Sequence, residues 1–102
     1  MSHDLHPRKL LTVICEAGLE EELAADFAAG GARGYTVTDA RGQGTHGHRD
    51  GSWSSGANIR CEVLCDEATA QRLLDVLEQR YFADYYMVAF VSDIAVLRPG
   101  KF

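Results

Sequence analysis

The sequence predicts a single α+β domain with one β-sheet, because segments with strand and helix periodicity alternate along the chain. Four segments are short, apolar and rich in β-branched residues, and two others repeat apolar residues at helical spacing. Of the 102 residues, 46% are hydrophobic and 25% are charged, which is ordinary for a small globular domain with a modest core. We therefore expect one domain over residues 1–102, of which 1–8 form a flexible tail.

The first half of the chain predicts a strand, a helix and a second strand. Residues 9–16 are apolar and β-branched in the middle, as in a central strand. Apolar residues then recur at helical spacing from 19 to 27, and the glycine pair at 30–31 ends this helix. The acidic face of the helix, over residues 20–26, is predicted to be solvated. Residues 35–40 alternate as a second strand.

The second half predicts another strand, helix and strand. Residues 58–65 place apolar side chains at every second position, which is typical of a strand with one buried face. Asp66 is a favourable N-cap for a helix that reaches about Arg80 along an apolar stripe. Residues 86–97 then form a long strand.

This order of elements is that of the ferredoxin-like βαββαβ fold, a four-stranded antiparallel sheet with two helices on one face. The chain predicts no third helix for the opposite face of the sheet. We therefore expect self-association to cover that face.

A polar segment at 41–57 separates the second and third strands. It contains five glycines, and its only apolar residues are Trp53 and Ala57. Loops of this length in compact domains are usually functional or disordered. Three arginines and one aspartate give residues 41–60 a net charge of +2, so the rest of the chain carries −7, for a total of −5. A local cationic segment in an acidic protein favours a small anionic ligand.

Several functional classes are disfavoured by composition. An isoelectric point near 5.2 argues against a nucleic-acid partner. The uncharged apolar run at 85–92 is too short to cross a bilayer, and the charged first residues do not predict a signal peptide. Cys15, Cys61 and Cys65 fall on predicted strands at unrelated spacings, which predicts buried thiols in a reducing, cytoplasmic setting. No catalytic constellation is evident, so we expect no enzyme.

The chemical signal lies where the second strand meets the polar segment. Gly42 and Gly44 would let the backbone turn and bring peptide N–H groups close to an oxyanion. Thr36 and Thr38 alternate onto one side of the strand, where their hydroxyls could meet a sugar or a base. Arg98 stands where the last strand ends. An ordinary turn that opens a hairpin is the alternative for the two glycines, and a solvated charge is the alternative for Arg98.

From Gly34 to Gly44 the chain resembles the PII-like nitrogen and carbon signalling proteins, whose second strand reads Gly-x-Thr-Val-Thr-(Glu or Asp)-x-(Lys or Arg)-Gly-x-Gly. The segment 60–64, Arg-Cys-Glu-Val-Leu, is similar to the family's Lys-x-Glu-x-Val. The corner 82–85, Phe-Ala-Asp-Tyr, and the ending Ala-Val-Leu at 95–97 look closest to the branch linked to bicarbonate transporters and carboxysomes.

The resemblance implies a homotrimer with an adenine nucleotide in each of three clefts between subunits. Residues 41–57 would be the T-loop that contacts a target protein, a transporter or a carboxysome-related one. Carried over position by position, the nucleotide would be bound by Thr36, Gly42, Gly44, Thr45, Glu62, Leu64 and Arg98.

Departures from the family pattern change the expected ligands. Thr45 replaces an arginine, and Val96 occupies one slot of a C-terminal arginine pair, so we expect ADP or AMP over ATP. The loop has no tyrosine to uridylylate, and its 2-oxoglutarate residues are absent. The carbon-linked branch instead suggests bicarbonate, for which the candidates are Arg41, His46, His48 and Arg49.

Three alternatives stay open. His46 and His48 could bind a divalent metal in a trimer of the same superfold, similar to copper-tolerance proteins. Arg60 and Glu62 could form an ion pair with no role in ligand binding. The chain could also be an oligomeric scaffold without a ligand.

The sequence leaves the role of Trp53 open as well. This residue either anchors a partner or packs on its own loop.

Overall fold

A four-stranded antiparallel sheet carries both helices on one face in the computed structural model, which describes residues 2–44, 47–49 and 57–102. The sheet order is β2-β5-β1-β6, with β2 and β6 at the edges, and this confirms the predicted ferredoxin-like fold. The elements are β1 (His6–Glu16), α1 (Glu20–Ala29), β2 (Thr36–Ala40), β3 (Gly42–Gly44), β4 (Gly47–Arg49), β5 (Asn58–Cys65), α2 (Glu67–Arg80) and β6 (Val88–Val96). Short 3-10 turns lie at Ala17–Leu19 and Pro99–Lys101.

The flexible tail is shorter than predicted. Residues 6–8 form the start of β1, because His6, Pro7 and Arg8 pair with the last residues of β6, from Ile94 to Val96. Partners nearly ninety positions away in the sequence determine this pairing, so the local composition gives no sign of it.

The segment 41–57 is also more ordered at its start than a plain loop. β3 and β4 form a short antiparallel ribbon, in which Gly42 pairs with Arg49 and Gly44 with Gly47. Gly42 and Gly44 both lie in extended strand backbone of this ribbon, and their contact with an oxyanion stays a prediction. Among the described residues only Gly31 has a positive φ, of 104°, directly after α1.

The face of the sheet that the helices cover holds the core. Alternate residues of β1 and β5 meet apolar residues of α1 and α2 there, as the sequence periodicity predicts. The predicted burial of Cys15, Cys61 and Cys65 is confirmed. Burial raises the pKa of the Cys15 thiol to about 12 and that of Cys61 to about 11, so these side chains stay neutral.

Polar contacts fix the second helix at both ends. The side chain of Asp66 accepts a 2.8 Å hydrogen bond from the Thr69 backbone N–H, which confirms the predicted N-cap. At the other end, Asp26 of α1 accepts hydrogen bonds from Arg80 and from the Tyr81 hydroxyl. Asp26 is buried, so the predicted solvated face of α1 does not extend to this residue.

The opposite face of the sheet, which we call the uncovered face, carries both apolar and polar side chains. Its apolar side chains are half-buried or exposed in one chain: Leu10, Ile14, Leu64, Val88, Phe90, Ile94 and Val96. At its centre Thr12 is fully buried, and its hydroxyl has no hydrogen-bond partner among the described residues. Within the described part of the chain, no helix has the length and apolarity needed to span a bilayer.

Candidate functional site

The strands β2 and β5 place the first group of candidate residues side by side on the uncovered face. Thr36 pairs with Glu62, and Thr38 pairs with Arg60, so these four side chains share one side of the sheet. Both threonines are exposed, whereas Glu62 is half-buried. A guanidinium N–H of Arg60 donates to Glu62 Oε2 at 3.5 Å, which confirms the expected ion pair. The pair is long and exposed, so it contributes little stability.

Leu64 continues this row toward the start of β2. It is half-buried and pairs across the sheet with Leu10. The candidate nucleotide residues Thr36, Glu62 and Leu64 thus form one continuous strip at the β2 edge, with hydroxyl, carboxylate and apolar groups in sequence. Such a strip offers hydrogen bonds at one end and an apolar contact at the other.

The β3–β4 ribbon gathers the backbone positions of the anion candidates. Arg49 lies across from Gly42, which follows Arg41 in the chain, and His48 lies across from Gln43. Two of the four bicarbonate candidates, His48 and Arg49, therefore belong to this short ribbon, and a third, Arg41, directly precedes it. The other candidates in this segment, Thr45 and His46, lie outside the described residues, as does Trp53.

Arg98 lies at the other end of the sheet. Ala40, at the end of β2, is level with Glu16 through its pairing with Asn58, whereas Val96 pairs with His6. Ten residues of β1 separate these two levels, or roughly 30 Å at 3.3 Å per residue. A single chain therefore does not bring Arg98 together with the glycine ribbon.

Arg98 begins a short C-terminal segment that other parts of the chain hold in place. Arg8 donates to the main-chain oxygens of Pro99 at 3.1 Å and of Phe102 at 3.3 Å. Arg33 donates to the main-chain oxygen of Gly100. Neither Arg8 nor Arg33 stands out in the sequence, because a hydrogen bond to a backbone oxygen requires no particular side chain in the partner residue.

Two concave pockets of the described chain are lined by residues other than the candidates. One, of about 240 Å³, lies beside Lys9, whose ammonium pairs with Asp93 and, at 3.7 Å, with Glu67. Another, of about 230 Å³, lies between the end of α1 and Tyr35. The candidate residues form an open strip and ribbon at the sheet edge, so another surface is needed to enclose a ligand there.

A candidate metal centre depends on residues that the structure does not describe. Over residues 2–44, 47–49 and 57–102, no three His, Cys, Asp or Glu side chains come together as a metal site would require. His46 is outside these ranges, so the two-histidine alternative stays a prediction.

The sheet topology and the glycine-rich ribbon at its edge define the class as PII-like regulatory domains. The chain belongs to the nitrogen regulatory protein P-II family, whose model matches residues 8–101.

Solved structures of similar proteins agree with this assignment. A PII-like signaling protein from Thermus thermophilus is 38% identical, with a TM-score of 0.83 over 97% of this chain and 98% of that one. CPII, a nitrogen regulatory PII-like protein from Thiomonas intermedia, was solved bound to ADP, AMP and bicarbonate. It is 31% identical, with a TM-score of 0.87 over 99% of this chain and 98% of that one. CPII bound to ADP and bicarbonate is 32% identical, with a TM-score of 0.87 over 99% of both chains.

Proposed function

We propose that this protein is a non-catalytic sensor that binds an adenine nucleotide and bicarbonate in clefts between subunits and signals through its T-loop. The separation of the candidate residues carries the proposal. Arg98 and the glycine ribbon lie toward opposite ends of one sheet, so a cleft that uses both must combine two chains. The ADP, AMP and bicarbonate bound to CPII support these ligand classes.

The proposed assembly is a homotrimer. The uncovered face carries apolar side chains that are half-exposed in one chain, with Phe90 44% exposed. Burial of such a face against other copies is favourable, at about 25 cal/mol per Å² of apolar area. Packing these faces around a three-fold axis would also bring the β2 edge of one chain near another subunit.

In the nucleotide site, Thr36, Glu62 and Leu64 would contact the base and ribose. Gly42, Gly44 and Thr45 would contact phosphate from one chain, and Arg98 from its neighbour. Since few cations are available, the site favours ADP or AMP over ATP. A site with fewer cations than the family pattern would bind the additional phosphate charge of ATP poorly.

Bicarbonate would bind at the base of the T-loop, among Arg41, His46, His48 and Arg49. Guanidinium groups bind planar oxyanions through paired hydrogen bonds, which supports the arginines as anion ligands. The ribbon register brings position 49 across from position 42, next to Arg41 and to the proposed phosphate contacts. Bicarbonate bound there would change the shape of residues 41–57 and so the surface offered to a target protein. The free, buried cysteines fit a cytoplasmic location.

Isothermal titration calorimetry with ADP, in the presence and absence of bicarbonate, tests this function. We expect bicarbonate to tighten ADP binding by at least about fivefold, which is a typical coupling between two linked sites. Arg41→Ala should remove the bicarbonate effect and keep ADP binding. Lys101→Ala, which removes another exposed cation, should change neither. Binding of ADP without any response to bicarbonate would contradict the second ligand, and a response to Zn²⁺ or Cu²⁺ instead would favour the metal alternative.

A further inference from the structure

The C-terminal segment 98–102, which we call the C-terminal turn, is held by hydrogen bonds to its backbone from two distant arginines. Arg8 of β1 donates through Nη2 to Pro99 O at 3.1 Å and through Nε to Phe102 O at 3.3 Å. Arg33, between α1 and β2, donates through Nη1 to Gly100 O. The turn is also closed internally, since the N–H groups of Lys101 and Phe102 donate to Arg98 O and Pro99 O at 3.2 Å.

The sheet order shows how far this contact reaches. The C-terminal turn follows β6, at one edge of the sheet, whereas Arg33 lies just before β2, at the other edge. Arg8 lies between them on β1. The turn therefore lies across the end of the sheet, and the hydrogen bond from Arg33 connects it to the segment that leads into β2 and Thr36.

The side chain of Arg98 is exposed and makes no hydrogen bond or ion pair with any described residue. The structure thus holds the backbone around Arg98 and leaves its guanidinium available. A terminal segment that contains glycine would otherwise sample many conformations. Fixing it before a ligand arrives avoids an ordering cost on binding.

We propose that Arg33, together with Arg8, is a positioning residue that presents Arg98 to the phosphate of the bound nucleotide, an inference that rests on the function proposed above. Arg33 is the better residue to test. It is exposed and lies outside every helix and strand, so its loss leaves the sheet ladder intact. Arg8 is part of the β1–β6 pairing and would be a less specific probe.

A double-mutant cycle on the full chain separates positioning from general destabilisation. The variants are Arg33→Ala, Arg98→Ala and the double variant, with Arg33→Lys as the conservative change and Lys101→Ala as the matched control. ADP and adenosine are titrated into each variant by calorimetry. The melting temperature of each variant and the mass of its assembly in solution are measured alongside.

Arg98→Ala should weaken ADP binding by about tenfold, the loss expected for one charge-assisted phosphate contact. Arg33→Ala should weaken it by about three- to fivefold, and Arg33→Lys by less, because lysine keeps one donor. The double variant should bind ADP no more weakly than Arg98→Ala alone. Adenosine, which has no phosphate, should bind all variants equally, and Lys101→Ala should bind ADP normally.

Two results would overturn the proposal and are distinguishable from failure of the proposed function. Additive losses in the double variant would show that Arg33 does not act through Arg98. An equal loss of adenosine and ADP binding in Arg33→Ala would show a purely structural role. If the unsubstituted protein binds neither ADP nor AMP, the proposed function fails, and the positioning role fails with it.

Discussion

The two faces of the sheet differ in how completely a single chain buries their side chains. On the helix-covered face, Leu11, Val13 and Cys15 of β1 are 0% exposed. On the uncovered face, Leu10 and Ile14 of the same strand are only half-buried, although Thr12 between them is buried, and Phe90 of β6 is 44% exposed. The same strand thus has fully buried side chains on one side and incompletely buried apolar side chains on the other.

This difference separates a face that stabilises the single chain from a face that carries the candidate ligand-binding residues. The helix-covered face needs no other chain, and its cysteines are neutral and buried. The uncovered face bears the candidate nucleotide residues Thr36, Glu62 and Leu64 along one edge. Assembly would therefore finish the core and enclose the ligand in the same step, and experiments that separate the two faces test this view directly.

The largest effect is expected from a charge placed on the uncovered face. Phe90→Glu would bury an unpaired carboxylate between copies, which costs several kcal/mol. Light scattering should report single chains of 11.2 kDa for this variant and a trimer for the unsubstituted protein. Phe82→Glu is the matched control, since Phe82 is 45% exposed but lies at the corner after α2. A trimer that survives Phe90→Glu would show that this face is not the interface.

A smaller, chemical effect should distinguish the helix-covered face. The pKa of Cys61 rises from 9.0 to about 11 through burial, which lowers the thiolate fraction near pH 8 by about a hundredfold. Ellman's reagent should therefore react with Cys15 and Cys61 at least about a hundredfold more slowly in the native protein than in guanidinium chloride, and with Cys65 more slowly as well.

The pH dependence follows from the same shift. Below pH 9 the Cys61 thiol is neutral in both the folded and the unfolded chain, so its ionisation adds no pH dependence to the free energy of unfolding there. Above pH 9 the unfolded chain loses this proton first, and the free energy of unfolding should fall until about pH 11.

A thiol that reacts quickly with Ellman's reagent in the native protein at pH 8 would contradict the expected slow reaction. It would show that the helices open away from the sheet.

The sequence predicts most of the fold because periodicity reports burial. The alternation over 58–65 and the Asp66 N-cap are local patterns, and both are confirmed. Features made by distant partners were missed. Residues 6–8 become strand only through β6, and Asp26 becomes buried only through Arg80 and Tyr81.

The candidate site shows the same limit. Alternation along each strand correctly predicts that Thr36 and Thr38 share one side of β2 and that Arg60 and Glu62 share one side of β5. That all four lie on the same side of the sheet follows only from the strand register. The distance from Arg98 to the glycine ribbon depends on which strands are neighbours and in which direction they run. Periodicity therefore indicates which groups could bind a ligand but not how far apart they lie, and the expectation of a cleft between subunits came from the family resemblance alone.

The smallest effect concerns Thr12, a buried polar residue at the centre of the uncovered face. Thr12 is 0% exposed, and its hydroxyl has no partner among the described residues. An unsatisfied buried hydroxyl costs about 1–3 kcal/mol, whereas an apolar group of the same shape costs nothing comparable. Thr12→Val should therefore raise the free energy of unfolding by about 1 kcal/mol and leave the trimer unchanged.

Urea denaturation at a fixed protein concentration measures this change, because the stability of an oligomer depends on protomer concentration. Thr38→Val is the matched control. Its hydroxyl is exposed on the same side of the sheet, so the substitution should change stability by less than about 0.5 kcal/mol. A loss of stability in Thr12→Val would mean that assembly gives the hydroxyl a partner from another copy. The uncovered face would then be a specific polar junction and not a second apolar core.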